Sequence, residues 1–155
     1  MIAKTGSPAE TPWDRLGGAP ALQNLLRHFY ADIRQDAVLG PIFNAHIHDW
    51  PAHLEKIGSF WARQLGAASN YPGGFAAAHL PLGIQPEHFV RWLGLWERNC
   101  CQHLNPESAA WMTARASDIA AHLRRVVGGS GGLQVGPVEG ASEGRSPRPA
   151  VAGPD

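Results

Sequence analysis

The chain is predicted to be all-α, and three observations carry that prediction. Apolar residues recur at spacings of three and four through four long stretches, which is the period of one helix face. Each stretch opens at or beside a proline, tolerated in the first helical turn because the N–H it lacks has no partner there. No run alternates polar with apolar residues and no Asn-Gly hairpin signal occurs, so nothing in the sequence asks for a sheet.

A brief segment over 13–18 precedes the first long helix, which is predicted to begin near Pro20. Leu22, Leu25, Leu26, Phe29, Tyr30 and Ile33 form its stripe, and Gly40-Pro41 marks its end. The second helix takes Asp49 as N-cap and Pro51 in its first turn, carries Trp50, Leu54, Ile57, Trp61 and Leu65, and stops at Gly66. From there to Gly83 the reading is mostly loop, because Tyr71-Pro72-Gly73-Gly74 is turn chemistry; only 75–80 has the composition for a short helical turn. Pro86 opens a third helix with Phe89, Trp92, Leu93, Trp96 and Cys100 on its stripe. Asn105-Pro106-Glu107 opens a fourth, with Met112, Ala116, Ile119, Leu123 and Val126, closed by Gly128-Gly129. The result is four helices with one long irregular connection.

Composition divides the chain into one folded unit and two tails. Residues 1–12 are polar, contain proline and are expected to be a flexible tail; 128–155 are rich in Gly, Pro and Ser and lack an aromatic, too little apolar surface for order. The folded domain is expected over 13–127, a length at which a single core outweighs chain entropy. Thirteen Lys and Arg balance thirteen Asp and Glu, so no basic field attracts nucleic acid or anionic lipid. No stretch reaches the length needed to span a bilayer and no charged-then-apolar leader opens the chain, which predicts a soluble, cytoplasmic protein, taken to be a monomer. Cys100 and Cys101 are sequence neighbours, a strained arrangement for a mutual bridge, in keeping with a reducing compartment.

The chemistry must come from six Trp and eight His in a short chain, numbers that suggest a pocket lined by rings with polar tips. His79 follows three alanines that would let a broad flat ligand approach the backbone; taken alone it reads first as a surface-loop histidine. Tyr30 lies on an apolar stripe, where its hydroxyl needs a partner inside the protein. His53 sits beside the stripe of the second helix, as boundary histidines commonly do. Trp92 falls mid-stripe and by itself is ordinary core, although its indole N–H is a donor that must point somewhere. His46, His48 and His53 have a spacing that would suit zinc, but no cysteine or carboxylate cluster completes that site.

Taken in order, these positions resemble the truncated haemoglobins, and within them the third group. The resemblance runs from about Trp13 to Val127, through Leu16-Gly17-Gly18, Phe29-Tyr30, Leu39-Gly40-Pro41-Ile42-Phe43, the run from His53 to Trp61, His79-Leu80 and Trp92-Leu93. It implies a truncated globin fold, a two-over-two helical sandwich around haem b. It implies His79 as the iron ligand, Phe43 packed on the haem, and Tyr30, His53, Ile57 and Trp92 as the distal wall. Lys56 is implied as a propionate partner, with Phe60 and Trp61 as further cofactor contacts. The glycine-rich tail departs from the compact form of that family.

In such a site His79 must be neutral at the iron-binding nitrogen, and its second ring nitrogen should donate to a backbone carbonyl. Tyr30 and Trp92 would donate to dioxygen, on which negative charge accumulates, more strongly than to carbon monoxide. Two charge-assisted hydrogen bonds slow oxygen release by roughly two to four orders of magnitude, which suits chemistry better than transport. The expected activity is conversion of nitric oxide and dioxygen to nitrate, with Tyr30, His53 and Trp92 as its catalytic residues and His53 as a gate. The same donors would assist peroxide O–O cleavage. No Gly-x-Gly-x-x-Gly fingerprint follows a strand, so any cycle implies a separate reductase. A ligand-sensing or oxygen-storage module without turnover is the alternative.

Overall fold

A computed structural model describes residues 10–79 and 82–132. The expectations for 1–9, for Leu80 and for 133–155 lie outside these residues. Among the described residues there are seven helices: α1 Pro12–Leu16, α2 Gly18–Gln35, α3 Leu39–His46, α4 Trp50–Gln64, α5 Phe75–Ala78, α6 Pro86–His103 and α7 Pro106–Gly132. No strand occurs among the described residues, and no helix there is long and apolar enough to cross a membrane.

The start signals act as the sequence predicts. Asp49 accepts from the Ala52 N–H at 3.1 Å at the head of α4, and Asn105 accepts from Ser108 N–H at 2.8 Å at the head of α7. Pro86 is the first residue of α6. Thr11 and Asp14 form a reciprocal capping box on α1.

Three helix boundaries differ from expectation. Helix α2 starts at Gly18, two residues before its predicted start near Pro20, which becomes its third residue. It ends at Gln35, well before Gly40-Pro41, because the Asp36 carboxylate accepts from Val38 and Leu39 N–H at 3.0 and 2.9 Å and starts α3. Gly40 and Pro41 lie inside α3. Pro41 is its third residue, where an N–H has no intrahelical acceptor, and a Cβ on Gly40 would stand 2.7 Å from the Arg34 carbonyl oxygen. The glycine is there for close approach of two backbones, not for a stop. Helix α7 continues past Gly128-Gly129 to Gly132, since a helical glycine costs only about 1 kcal/mol relative to alanine and does not forbid continuation.

Helices α2 and α4 pack as one pair and α6 and α7 as a second, with α2 crossing α6 between them. The centre is aromatic. Phe29, Leu25 and Ile33 of α2, Trp61 of α4, Trp96 and Cys100 of α6 and Met112 of α7 are all buried there. Trp96 stacks on Trp61 with ring centroids 4.9 Å apart, meets Phe29 edge-on at 4.8 Å, and donates its indole N–H to the Met112 carbonyl at 3.1 Å. Two polar ties join α2 to α6. Asn99 donates to Asp32 at 2.9 Å, and Arg91 pairs with Asp36 at 2.6 Å. Cys100 and Cys101 are both unpaired.

Candidate functional site: an apolar slot with unspent hydrogen-bond donors

Residues of α2, α3, α4, α6 and α7, together with the α5 segment, line a slot of about 160 Å³. Its wall is mostly apolar: Leu39, Ile42, Phe43 and Ile47 from the α3 region, Ile57 from α4, Phe89 from α6, and Ile119 and Leu123 from α7. A larger groove, about 870 Å³, runs beside Trp13, Leu22, Leu54 and Gly58. None of the sequence-predicted site residues lines that groove.

The slot brings together Tyr30, Phe43, His53, Lys56, Ile57, His79 and Trp92. Phe60 and Trp61 are not in its wall. Both are buried behind it: Phe60 stacks on Phe75, which does line the slot, with centroids 4.4 Å apart, and Trp61 stacks on Trp96 in the core. Phe60 and Trp61, three and four positions beyond Ile57, share its helix face but stand one turn further along α4, where they meet Phe75 and Trp96 instead of the slot.

His79 is placed by the short helix α5. Its backbone N–H donates to the Ala76 carbonyl at 3.1 Å, and Nδ1 lies 2.7 Å from the Phe75 carbonyl oxygen. A carbonyl can only accept, so Nδ1 carries the proton and Nε2 keeps its lone pair. Burial pushes the His79 pKa below the ordinary imidazole value, against the opposing pull of that hydrogen bond, which holds the ring neutral. The Phe75 ring meets the imidazole at a centroid distance of 4.7 Å and fixes its tilt.

On the other residues polar groups are left over. Nε2 of His53 is buried without a hydrogen-bond partner, and burial, then Lys56 and His79, pushes its pKa down to about 4. Tyr30 is buried, and desolvation raises its phenol well above the usual value, so the hydroxyl stays a neutral donor. Neither that hydroxyl nor the Trp92 N–H has a hydrogen-bond partner among the described residues, so the acceptor expected for Tyr30 inside the protein is not supplied by them. Lys56 is exposed at the rim.

Several lining residues escape sequence reasoning. His46 and His88 face the slot, and Gln85 N–H donates to His88 Nδ1 at 2.9 Å. Phe89, Ile119 and Leu123 were legible only as helix stripes, and Tyr71 and Phe75 lie in the connection read as loop. Trp50 packs against both Tyr30 and His53 without lining the slot. Among the described residues no three His, Cys, Asp or Glu side chains are grouped to hold a metal ion, so His46, His48 and His53 do not form the zinc site their spacing permits.

These features fit haem. The slot is mostly apolar, one neutral imidazole has its Nδ1 tied down and keeps the lone pair on Nε2, a cation stands at the rim for a propionate, and a buried Nε2 on His53 lacks a partner. Fold and site together define a globin, a helical protein that binds diatomic ligands through haem. The profile of the bacterial-like globins matches residues 11–124, and the group 3 truncated haemoglobin of Campylobacter jejuni is 35% identical over 117 residues, 72% of this chain and 92% of that one. The chain belongs to the bacterial-like globins, and within them to the group III truncated haemoglobins. The crystal structure of the group III protein from C. jejuni superposes with a TM-score of 0.66 at 36% identity, covering 70% of this chain and 89% of the other. The group II 2-on-2 haemoglobin of Agrobacterium tumefaciens, at 19% identity and TM-score 0.67 over 76% and 96% of the two chains, shares the fold.

Proposed function

We propose that this globin binds dioxygen reversibly and uses it to convert nitric oxide to nitrate. The observation that carries the reading is the pair of donors, Tyr30 hydroxyl and Trp92 N–H, that share a slot with a neutral histidine and find no acceptor among the described residues. Haem b, when bound, supplies iron for diatomic ligands and one-electron chemistry. His79 would hold the iron through Nε2, Lys56 would meet a propionate, and Phe43 and Ile57 would contact the ring.

The chain's own residues then act on the ligand. A donor above a ligand that gains negative charge stabilises it selectively, and a donor with no competing partner loses nothing in doing so. Tyr30 and Trp92 hold dioxygen against release and favour it over carbon monoxide. His53, neutral at physiological pH, stands at the slot wall as a gate for nitric oxide. The overall reaction, nitric oxide plus dioxygen plus one electron giving nitrate, requires a separate reductase. Unpaired Cys100 and Cys101 accord with a cytoplasmic setting.

Stopped-flow mixing of the dioxygen complex with nitric oxide tests this. Rapid reaction with one nitrate formed per nitric oxide is expected, and a slow reaction that yields no nitrate would overturn it. Sustained nitrate production with an added reductant separates turnover from storage or sensing.

A further inference from the structure

We propose that Trp50, pinned from outside by Arg34, is a positioning residue that sets how readily His53 opens the slot. The inference rests on the reading of His53 as a gate.

The His53 ring is wedged between two aromatics. It meets Tyr30 at a centroid distance of 5.6 Å and 87°, and Trp50 at 5.5 Å and 81°. Tyr30 and Trp50 close the triangle at 5.9 Å. Two helices supply it in matching registers: Tyr30 and Arg34 are four apart on α2, Trp50 and His53 three apart on α4, so each pair shares a helix face. The Arg34 guanidinium lies 4.6 Å over the Trp50 ring, and no carboxylate among the described residues pairs with it. Tyr30 and His53 line the slot, Trp50 packs against both from behind, and Arg34 lies over Trp50.

Tyr30 is buried and belongs to the core cluster, so it gives no room. Trp50 is half-buried, does not line the slot, and is held on its outer side by a flexible exposed residue. An imidazole leaving the slot must therefore displace Trp50, and Trp50 must first slip from under Arg34. The buried Nε2 of His53, without a partner, gives the ring a reason to leave; the packing of Trp50 opposes it. Asp49 and Pro51 fix the backbone on both sides of Trp50, so its side chain moves against a rigid helix start.

The test follows carbon monoxide rebinding after flash photolysis of the haem-loaded protein. Trp50→Ala should raise the association rate about tenfold, Trp50→Phe should restore most of the wild-type rate, and Arg34→Ala should give roughly a two- to fivefold rise. In a His53→Ala background Trp50→Ala should add nothing, because the group it positions is gone. A second readout is the proton NMR of the His53 ring in the diamagnetic carbon monoxide complex. Ring currents from Tyr30 and Trp50 displace its shifts, and Trp50→Ala should move them toward those of a free imidazole. If Trp50→Ala accelerates binding equally with and without His53, or leaves both rate and shifts unchanged while His53→Ala is fast, the positioning role is wrong and the gate survives. If His53→Ala is no faster than wild type, the gate itself is wrong.

Discussion

Trp92 and Trp96 stand one turn apart on α6, their rings parallel within 3° and 5.7 Å between centroids, yet they belong to different regions. Trp96 is fully buried and its N–H is satisfied by the Met112 carbonyl; Trp92 is half-buried at the slot and its N–H has no partner among the described residues. The two histidines of the slot differ similarly, since His79 has one nitrogen tied to Phe75 whereas His53 has a buried nitrogen with nothing to bond. A core finishes its hydrogen bonds internally; a binding site leaves them open where the ligand will complete them. The slot gives up some stability of the haem-free protein for that readiness.

The largest expected break of this contrast is His79→Ala. Removing the imidazole takes away the axial ligand, so the purified variant should lose haem and Soret absorbance; full retention of both would remove His79 from its assigned role. Next, Trp96→Ala should cost about 3–5 kcal/mol of folding stability by urea titration, because it empties a packed site and removes the indole hydrogen bond to the Met112 carbonyl. Tyr30→Phe should do the reverse, leaving urea stability near wild type while raising the dioxygen dissociation rate roughly ten- to a hundredfold. An unchanged dissociation rate would show that the phenol does not touch the ligand.

The smallest effect is a pH dependence of the haem-free protein. His53 titrates at about 4 when folded and near 6.5 when unfolded, so between those values the unfolded chain binds the extra proton. Stability is therefore undiminished by this group above about 6.5 and falls as pH drops toward 4. A His53→Leu variant should show a shallower loss over that window in urea midpoints, and an identical slope would mean that another group is responsible.

Much of this was legible in advance because helix periodicity and capping act over three to seven residues. The stripe of α2, the Asp49 and Asn105 starts, and the turn chemistry before Phe75 required no tertiary contact. The resemblance supplied Tyr30, His53, His79 and Trp92 as an ordered set. It groups Phe60 and Trp61 with the cofactor contacts, and packing places them on Phe75 and Trp96. Gly40-Pro41 was read as a helix end because its true partner, the Arg34 carbonyl, is brought close only by the turn at Asp36.

Local sequence, then, was enough for the class of fold, the number of long helices and the identity of the polar groups, since spacing and caps are properties of neighbours along the chain. Which of those polar groups are spent and which are left open was settled by packing. Trp96 meets Met112 across sixteen residues, while Tyr30, Trp50 and His53 meet across two helices. A hydrogen bond or ring contact between distant residues depends on where three-dimensional packing puts the second partner, and no periodicity encodes that.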